Sequence, residues 1–511
     1  MVALTLVVCV IAAVAAAPGA AAAQPCGGVF AHRSHPAITA LDPRPHAPRV
    51  FAMQYKQEAR SVVSYATFRR KIECMLRRYV LPHLAHGRPN VVVFNEDIGL
   101  AAMGIGSRGR VARDVIAHRG GPHCVAGAEP CGALGAISAL TDAYGRQVNA
   151  YASRLSGFSG LSRVFVATTD TTVRGFLGTF STLARRYGIY MIGSGDLPPF
   201  RQSRAASDRQ AFGDPDLHPA SPSVYVATSA KAYNEVFMWG PRNVRRSGPD
   251  ALRNVVASNR KVPLTSIEIA LGLTPGPASG PGAVANLRPF ALPGTRARIG
   301  FATSLPAFQW DAPAAGVNPC SDASRFYMRC LNRLGANLVI QDEANPGAWT
   351  GPDGNGVEQW QPLSWMNSTY RTVSDPSVRF AYNVTAMMVG NLSDLPFDGQ
   401  SAITQRGFAP ARSGHGGRGR GRGRGCHYIG NGSFVPSEDQ SVFRGFAGPR
   451  PDFLALAPWV VGDRSRAALR SVGTGLAPGS GSHLENDYLE TALIADLPFP
   501  VDRHRANCVG G

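Results

Sequence analysis

The chain has 511 residues, of which 44% are hydrophobic and 17% charged, and 52 Lys and Arg face 34 Asp and Glu. This apolar fraction excludes a wholly disordered chain, and the length suits about two to four average domains or one large, decorated domain. The net charge of +18 indicates either an anionic partner or simply a basic surface.

The N-terminal residues have the pattern of a secretory signal. Residues 2–16 are apolar, and small residues follow them, with Ala21 and Ala23 placing cleavage near Gln24. The positive charge that usually precedes such a core is missing, so residues 1–23 are either a signal peptide or an N-terminal anchor. We therefore expect an exported protein, secreted or held in the cell envelope.

The cysteine count fits an oxidising compartment. Without Cys9, eight cysteines remain, and an even number in an exported chain permits disulfides. Cys124 and Cys131 flank a Gly-containing loop and are the favoured pair. A bond between Cys320 and Cys330 is the weaker prediction, because Cys330 falls on the apolar face of a predicted helix, where a free thiol also fits. No cysteine or histidine cluster has the spacing of zinc ligands, so we expect neither a metal nor a cofactor.

From residue 49 onward, runs with strand character alternate with amphipathic helical segments. Strands are predicted at 49–54, 90–96, 163–169, 189–193, 223–228, 233–238, 298–304, 336–341, 379–391 and 488–497. Helices are predicted at 57–82, near 134–155, at 172–187 and in the segment that Gly335 ends as a C-cap. This alternation predicts α/β layers rather than a β-sandwich or a helical bundle.

Two stretches interrupt the alternation, at about 101–160 and at 405–480, and both are interpreted as insertions in one domain that covers 45–498, with 499–511 as a tail. Residues 414–425 read GHGGRGRGRGRG, a composition that cannot pack a core. The favoured interpretation is a solvated loop, and weak contact with an anionic surface is the alternative. No aromatic residue is interleaved with these arginines, so no specific nucleic-acid partner is expected.

Three polar residues at predicted strand ends suit acyl-transfer chemistry. Glu96 ends the run VVVFNE, Lys261 directly follows a polar segment, and Ser304 ends the run RIGFATS. Such chemistry needs a carboxylate that takes a proton from the nucleophile, a cation that stabilises the oxyanion and a nucleophile that holds the acyl group. These three residue types therefore form a candidate site.

Seven segments in order make the chain resemble the nitrilase superfamily, the carbon–nitrogen hydrolases, over most of residues 49–497. They are Gln54, 94–96 (FNE), 233–241 (YNEVFMWGP), 260–264 (RKVPL), 298–304 (RIGFATS), 334–340 (LGANLVI) and 396–403 (PFDGQSAI). The resemblance implies a four-layer αββα sandwich with long Gly-, Arg- and Pro-rich insertions. It also implies hydrolysis or acyl transfer at a small-molecule amide or nitrile.

Carried over from the family, Glu96 is the general base, Lys261 the oxyanion partner and Glu268 a second carboxylate at approximate spacing. Family members commonly pair through the sandwich, so a homodimer is one of the states left open, because the insertions can block that face. Asn345 and Trp349 either line the substrate pocket or belong to a Pro/Gly turn.

The nucleophile position departs from the family, because Ser304 stands where the family has cysteine. A thiol has an ordinary pKa of about 8.5, whereas a hydroxyl is far less acidic and a carboxylate is a poor base for it. The backbone N–H of Leu305 remains available to an oxyanion. The chain is therefore either a hydrolase that uses Ser304 or a nitrilase-fold binding protein that has lost its nucleophile. An envelope protein whose Arg/Gly loop binds anionic polymer is the third hypothesis.

Overall fold

The computed structural model describes residues 26–118, 132–347, 350–352, 358–375, 377–406, 452–457 and 466–501. The predicted signal or anchor, the Cys124–Cys131 pair, Trp349 and the Arg/Gly repeat lie outside these residues. Within the described ranges, no helix is both long enough and apolar enough to cross a membrane.

The strands are numbered in chain order. They are β1 Arg33–Ser34, β2 Ile38–Ala40, β3 Arg49–Lys56, β4 Asn90–Val93, β5 Tyr190–Leu197, β6 Phe200–Ser203, β7 Val224–Ala227, β8 Tyr233–Trp239, β9 Val255–Arg260, β10 Phe290–Ala291, β11 Arg298–Phe301, β12 Leu338–Glu343, β13 Thr350–Pro352, β14 Glu358–Trp360, β15 Tyr382–Leu392, β16 Leu395–Phe397, β17 Ala402–Gln405, β18 Asp452–Leu456 and β19 Leu489–Asp496.

The helices are numbered in the same way. They are α1 Tyr65–Met75, α2 Arg110–His118, α3 Gly132–Ala143, α4 Gly145–Ala152, α5 Arg163–Ala167, α6 Thr169–Thr172, α7 Gly178–Tyr187, α8 Ala206–Phe212, α9 Ser266–Ala270, α10 Gly280–Asn286, α11 Ala323–Arg333, α12 Gln361–Ser374 and α13 Arg466–Leu476. Helix α1 begins at a capping box made by Ser64 and Thr67, which satisfies backbone donors of its first turn.

One sheet contains 15 of the described strands, and its main path has the order β10-β11-β12-β15-β3-β4-β5-β8-β9. Its two halves meet where β15 pairs with β3, with Met388 opposite Tyr55 and Val389 opposite Lys56. Strands β11, β12 and β15 are parallel in one half, and β3, β4 and β5 are parallel in the other. The carboxyl ends of each parallel set therefore lie along a common edge.

The alternation of side chains along the strands places the two halves face to face. In β4, Val91 and Val93 pack in an apolar cluster shared with Ile299 and Ile340 of the other half, whereas Val92 packs on the opposite side. This is the two-residue period of a strand buried on both faces. The two halves thus form the inner layers of a sandwich.

Helices cover both outer faces of the sandwich. Phe68 of α1 and Phe180 of α7 pack on the half that contains β3 and β4, and Leu331 of α11 packs with Val339 on the other half. The layer order is therefore helix–sheet–sheet–helix, which confirms the predicted α/β fold of the four-layer αββα type.

The predicted strand at 163–169 is wrong, because Arg163–Ala167 is the helix α5. Val164, Phe165 and Val166 are all buried, and the first two pack with Ala112 and Leu140 of α2 and α3. A short apolar run that is buried all round has no period that separates a strand from a helix. Helices α3 and α4 occupy the region predicted near 134–155.

Two disulfides join described cysteines, Cys26 to Cys74 and Cys320 to Cys330. The first joins the segment before β1 to α1, and the second joins the 3₁₀ segment Pro319–Ser321 to the third turn of α11. Cys330 is therefore not the free core thiol that its position on an apolar helix face allowed.

A buried ion pair ties α1 to β19. The ammonium of Lys71 lies 2.6 Å from the carboxylate of Glu490, and both side chains are almost fully excluded from solvent. Glu490 also accepts hydrogen bonds from the backbone N–H groups of Ala31 and Lys56, at 3.1 and 3.3 Å. Such a pair is tolerated because every charge has a partner.

Replacement of Lys71 by Met should lower the free energy of unfolding by about 3–5 kcal/mol, because Glu490 would keep a buried charge without its counterion. Urea denaturation measures the change. Arg325→Met is the matched control, because its pair with Asp311 is exposed at both ends and is worth less than about 1 kcal/mol. Equal losses in the two variants would contradict the assignment of a buried pair.

Candidate functional site

The site lies where several strands of the two half-sheets end. Glu96 follows β4, Lys261 directly follows β9, Ser304 follows β11 and Asn345 follows β12. Lys261 is fixed by its backbone, since its N–H donates to the carbonyl of Asn234 at 2.9 Å. Residues that are far apart in the chain therefore meet at one edge of the sandwich.

Lys261 lies between two carboxylates. Its Nζ is 2.7 Å from Oε1 of Glu96 and 2.9 Å from Oε2 of Glu268. The side-chain amide of Asn234 donates to both of these carboxylates, at 2.8 and 2.9 Å. The second oxygen of Glu96, Oε2, accepts the backbone N–H of Ala344 at 3.0 Å. One cation and two carboxylates thus form a single hydrogen-bonded cluster.

Glu268 is held from a second side by the start of α9. Its carboxylate accepts the backbone N–H and the hydroxyl of Thr265, at 2.8 and 2.9 Å, and the Thr265 hydroxyl accepts the N–H of Glu268 in return. This capping box fixes the carboxylate at the N-terminus of a helix, where negative charge is favoured.

The surroundings give the two carboxylates opposite pKa shifts. Burial raises the pKa of Glu96 to about 7, although Lys261 acts in the other direction, and the charge of Glu268 adds to the rise. Burial also acts to raise the pKa of Glu268, but Lys261 and the hydrogen bonds from Thr265 and Asn234 outweigh it and lower that pKa. The pKa of Lys261 rises because both carboxylates outweigh its burial. Pairs separated in this way are typical of acid–base sites.

Ser304 lies on a strained turn between β11 and a short 3₁₀ segment, Leu305–Phe308. Its backbone has φ 55° and ψ −119°, a conformation that favours glycine, and its N–H donates to the carbonyl of Asp342 at 3.1 Å. The hydroxyl donates to Oδ1 of Asn345 at 3.3 Å. Strain of this kind costs about 1–3 kcal/mol and is typical of functional turns.

A cavity of about 400 Å³ opens over these residues. The polar residues that line it include Glu96, Asp97, Asp196, Lys261, Glu268, Ser304 and Asn345. Its walls are mainly apolar and include Leu100, Met103, Ala112, Ile116, Ala136, Ile137, Leu140, Phe165, Ile267, Leu271, Met388, Leu392, Leu395 and Phe397. Several of these belong to α2 and α3, so the first predicted insertion shapes the cavity.

The structure brings Glu96, Lys261 and Glu268 into direct contact and places Ser304 beside Asn345, with all five on one cavity. Among the described residues, no hydrogen bond joins Ser304 to Glu96. Leu305 follows Ser304 in the chain but is not among the described residues that line the cavity.

Sequence reasoning missed Asn234 as the bridge between the two carboxylates, although it had noted the Tyr233-Asn234 pair. It also missed Asp97 and Asp196. Both are polar residues at or just after strand ends, the signal that singled out Glu96. Among the described residues, no group of three or more His, Cys, Asp or Glu side chains is arranged to hold a metal ion.

No protein-family model and no curated protein matches the chain. Several solved structures do match the chain. One is an amidase from Nesterenkonia sp. AN1 carrying a Michael addition product of acrylamide at its active-site cysteine, with 12% identity, a TM-score of 0.34 and coverage of 70% of this chain and 85% of that one. The chain is similar to nitrilase-superfamily structures.

A second similar structure is a carbon–nitrogen hydrolase from Helicobacter pylori G27, with 12% identity, a TM-score of 0.35 and coverage of 70% of this chain and 82% of that one. The fold class itself follows from the sheet order and the packed layers.

Replacement of Ser304 by Gly should leave the protein about 1 kcal/mol more stable than replacement by Ala. Glycine removes strain of about 1–3 kcal/mol at a cost of about 0.5–1 kcal/mol in chain entropy. Chemical denaturation of both variants tests this. At Ser324, in the helix α11, the order should reverse, because glycine there is less favourable than alanine by about 1 kcal/mol. A more stable Ala variant at position 304 would show that the turn holds no strain.

Proposed function

We propose that the protein is a carbon–nitrogen hydrolase that acts on small amides or nitriles, by hydrolysis or acyl transfer, with Ser304 as nucleophile. One observation carries the proposal: a buried Glu96–Lys261–Glu268 cluster and a hydroxyl on a strained turn line the same cavity. Base, cation and nucleophile are the groups that acyl transfer needs.

In the first step with an amide, the Ser304 oxygen attacks the carbonyl carbon and its proton passes to Glu96. A pKa of about 7 makes Glu96 a better base near neutral pH than an ordinary carboxylate, which partly offsets the low acidity of the hydroxyl. The Lys261 ammonium stabilises the oxyanion. Collapse of this intermediate breaks the C–N bond, and the leaving amine takes the proton from Glu96.

In the second step, water attacks the acyl–Ser304 ester with Glu96 again as base, and the carboxylic acid leaves. Acyl transfer follows the same route when an amine or alcohol replaces water. The apolar walls contributed by α2 and α3 favour substrates with a hydrocarbon body over small polar amides.

The compartment belongs to the same proposal. Disulfides between described cysteines are typical of proteins that mature outside the cytosol, which supports export through residues 1–23. Secretion and retention at the cell envelope are both compatible with this. Weak anionic contact through residues 414–425 stays a prediction, as does pairing of two copies.

A binding protein without catalysis is the second candidate, and the contacts of the site favour it in one respect. The Ser304 hydroxyl donates to Asn345, and both oxygens of Glu96 already accept hydrogen bonds from Lys261, Asn234 and Ala344. In this arrangement no base is aimed at the hydroxyl.

Ser304 variants separate the two candidates in a screen of amides and nitriles. Ser304→Ala and Glu96→Gln should each lower kcat/KM by about a thousandfold, because a nucleophile or its base is lost. Ser304→Cys should retain activity, since a thiol is easier to activate. Unchanged activity in Ser304→Ala would contradict the serine mechanism, and activity that arises only in Ser304→Cys would support the binding protein.

The pH dependence of kcat/KM should show a rising limb near pH 7, because Glu96 acts as a base only after it loses its proton. Glu268→Gln should move this limb to lower pH, because it removes a negative charge that raises the Glu96 pKa. The positive charge of Lys261 then pairs with Glu96 alone. Glutamine can keep the capping box with Thr265. Asp311→Asn, at an exposed position, is the control and should leave the profile unchanged. A limb that stays or moves upward in Glu268→Gln would contradict the role of Glu96.

A further inference from the structure

Two carboxylates in the cavity are not used by the proposed chemistry. Asp97 directly follows Glu96, and its backbone N–H donates to the hydroxyl of Ser194 at 3.1 Å. Asp196 stands opposite Asn234 in the pairing of β5 with β8, so its side chain projects from the same face as the amide that holds Glu96. Both line the cavity.

Tight packing brings together the backbone segments that carry the two aspartates. The turn that begins at Asp97 packs on the end of β5, where a Cβ added to Gly195 would lie only 3.0 Å from Cα of Gly99. Asp97 itself has φ 59°, a left-handed conformation that Asp and Asn tolerate better than most residues. The packing therefore fixes the backbone positions of both aspartates.

Both aspartates have an oxygen without a partner. Asp196 is only 3% exposed, and within the described part of the chain Oδ1 of Asp196 and Oδ1 of Asp97 accept no hydrogen bond. Buried polar groups in folded proteins are almost always paired, so an unpartnered carboxylate oxygen on a cavity wall indicates a ligand that donates to it.

The cations that line the cavity are bound by groups other than these two carboxylates. The ammonium of Lys261 is already bound by Glu96 and Glu268. The guanidinium of Arg113, the other cation that lines the cavity, donates to the carbonyls of Gly104 and Gly106. Burial raises the pKa of Asp97, and the charge of Asp196 adds to it, while burial also raises the pKa of Asp196. A bound cation would oppose this rise, because it favours the charged form of both carboxylates.

We propose that Asp97 and Asp196 bind a cationic group of the substrate, a primary ammonium at the end of an apolar amide. This inference rests on the proposed function, because the amide must reach Ser304 while its ammonium meets the aspartates. The hydrocarbon between the two groups lies along the apolar walls. The substrate class is thus an ω-amino amide rather than a neutral alkyl amide.

The test compares 6-aminohexanamide with heptanamide, in which a methyl group replaces the ammonium, by calorimetric titration of the full protein. The amine should bind about tenfold to hundredfold more tightly, the range expected for hydrogen bonds between charged groups. Its affinity should not fall as pH rises until the amine itself loses its proton at about 10, because a cation binds charged aspartates more tightly than protonated ones. A second pair, 4-aminobutanamide and pentanamide, covers a shorter span.

Asp97→Asn and Asp196→Asn should each reduce the preference for the amine, and Asn keeps the left-handed backbone at position 97. Asp114→Asn is the matched control, because this carboxylate lies on α2 but is 60% exposed. Equal affinity for amine and alkyl amides, or a preference that survives both variants, would overturn the proposal.

An affinity that falls as pH rises would also overturn the proposal. That result would mean that protonated Asp97 and Asp196 donate hydrogen bonds to an uncharged group of the ligand. Hydrolysis of neutral amides without any preference for the amine would leave the proposed function intact and refute only the cation site. Tight amine binding without hydrolysis would support the cation site and contradict the proposed hydrolase.

Discussion

The buried ammonium of Lys261 is the constraint around which the site is built. It is 3% exposed and lies between two carboxylates, and a charge removed from water in this way is tolerated only when its partners are close and fully hydrogen-bonded. Asn234 completes the cluster by donating to both carboxylates. The ends of β4, β8 and β9 must therefore meet within hydrogen-bonding distance. The outer layers of helices keep water away from these strands, so water cannot replace a missing hydrogen-bond partner in the cluster.

The two carboxylates of the cluster have opposite pKa shifts because they are held differently. Glu268 is bound at the start of a helix, so the negative charge is stable there, whereas Glu96 is held by a single backbone N–H besides Lys261 and Asn234. Burial then dominates at Glu96. Burial has the same effect on Glu343 at the end of β12. Burial and the nearby charge of Glu96 raise the pKa of Glu343 to about 8. The apolar helices of the first insertion contribute to this burial, so they act on the chemistry as well as on the shape of the cavity.

The parts of the site that follow apolar strands could be predicted from the sequence, and the parts fixed by packing could not. Glu96, Lys261 and Ser304 each end a recognisable run, and the spacing of Glu268 was close enough to name it. Asp196 was missed because the strand was predicted to end at 193, whereas β5 continues to Leu197 through Gly193, Ser194 and Gly195. Those residues have low strand propensity and are held in the sheet by their neighbours. The helix α5 was mistaken for a strand for a related reason, since its neighbours lie in an insertion that no pattern describes.

Whether Ser304 can react depends on the turn after β12 more than on Lys261. Oε1 of Glu96 is bound by Lys261 and Asn234, so in the proposed mechanism the proton from Ser304 passes to Oε2, which accepts the N–H of Ala344 in this structure. The hydroxyl of Ser304 in turn donates to Asn345, the next residue. Both competing hydrogen bonds therefore come from two consecutive residues of one turn. A small displacement of that turn frees the base and the nucleophile together, and its present position keeps both occupied. The strained backbone at Ser304 then holds the hydroxyl at the cavity wall in either case.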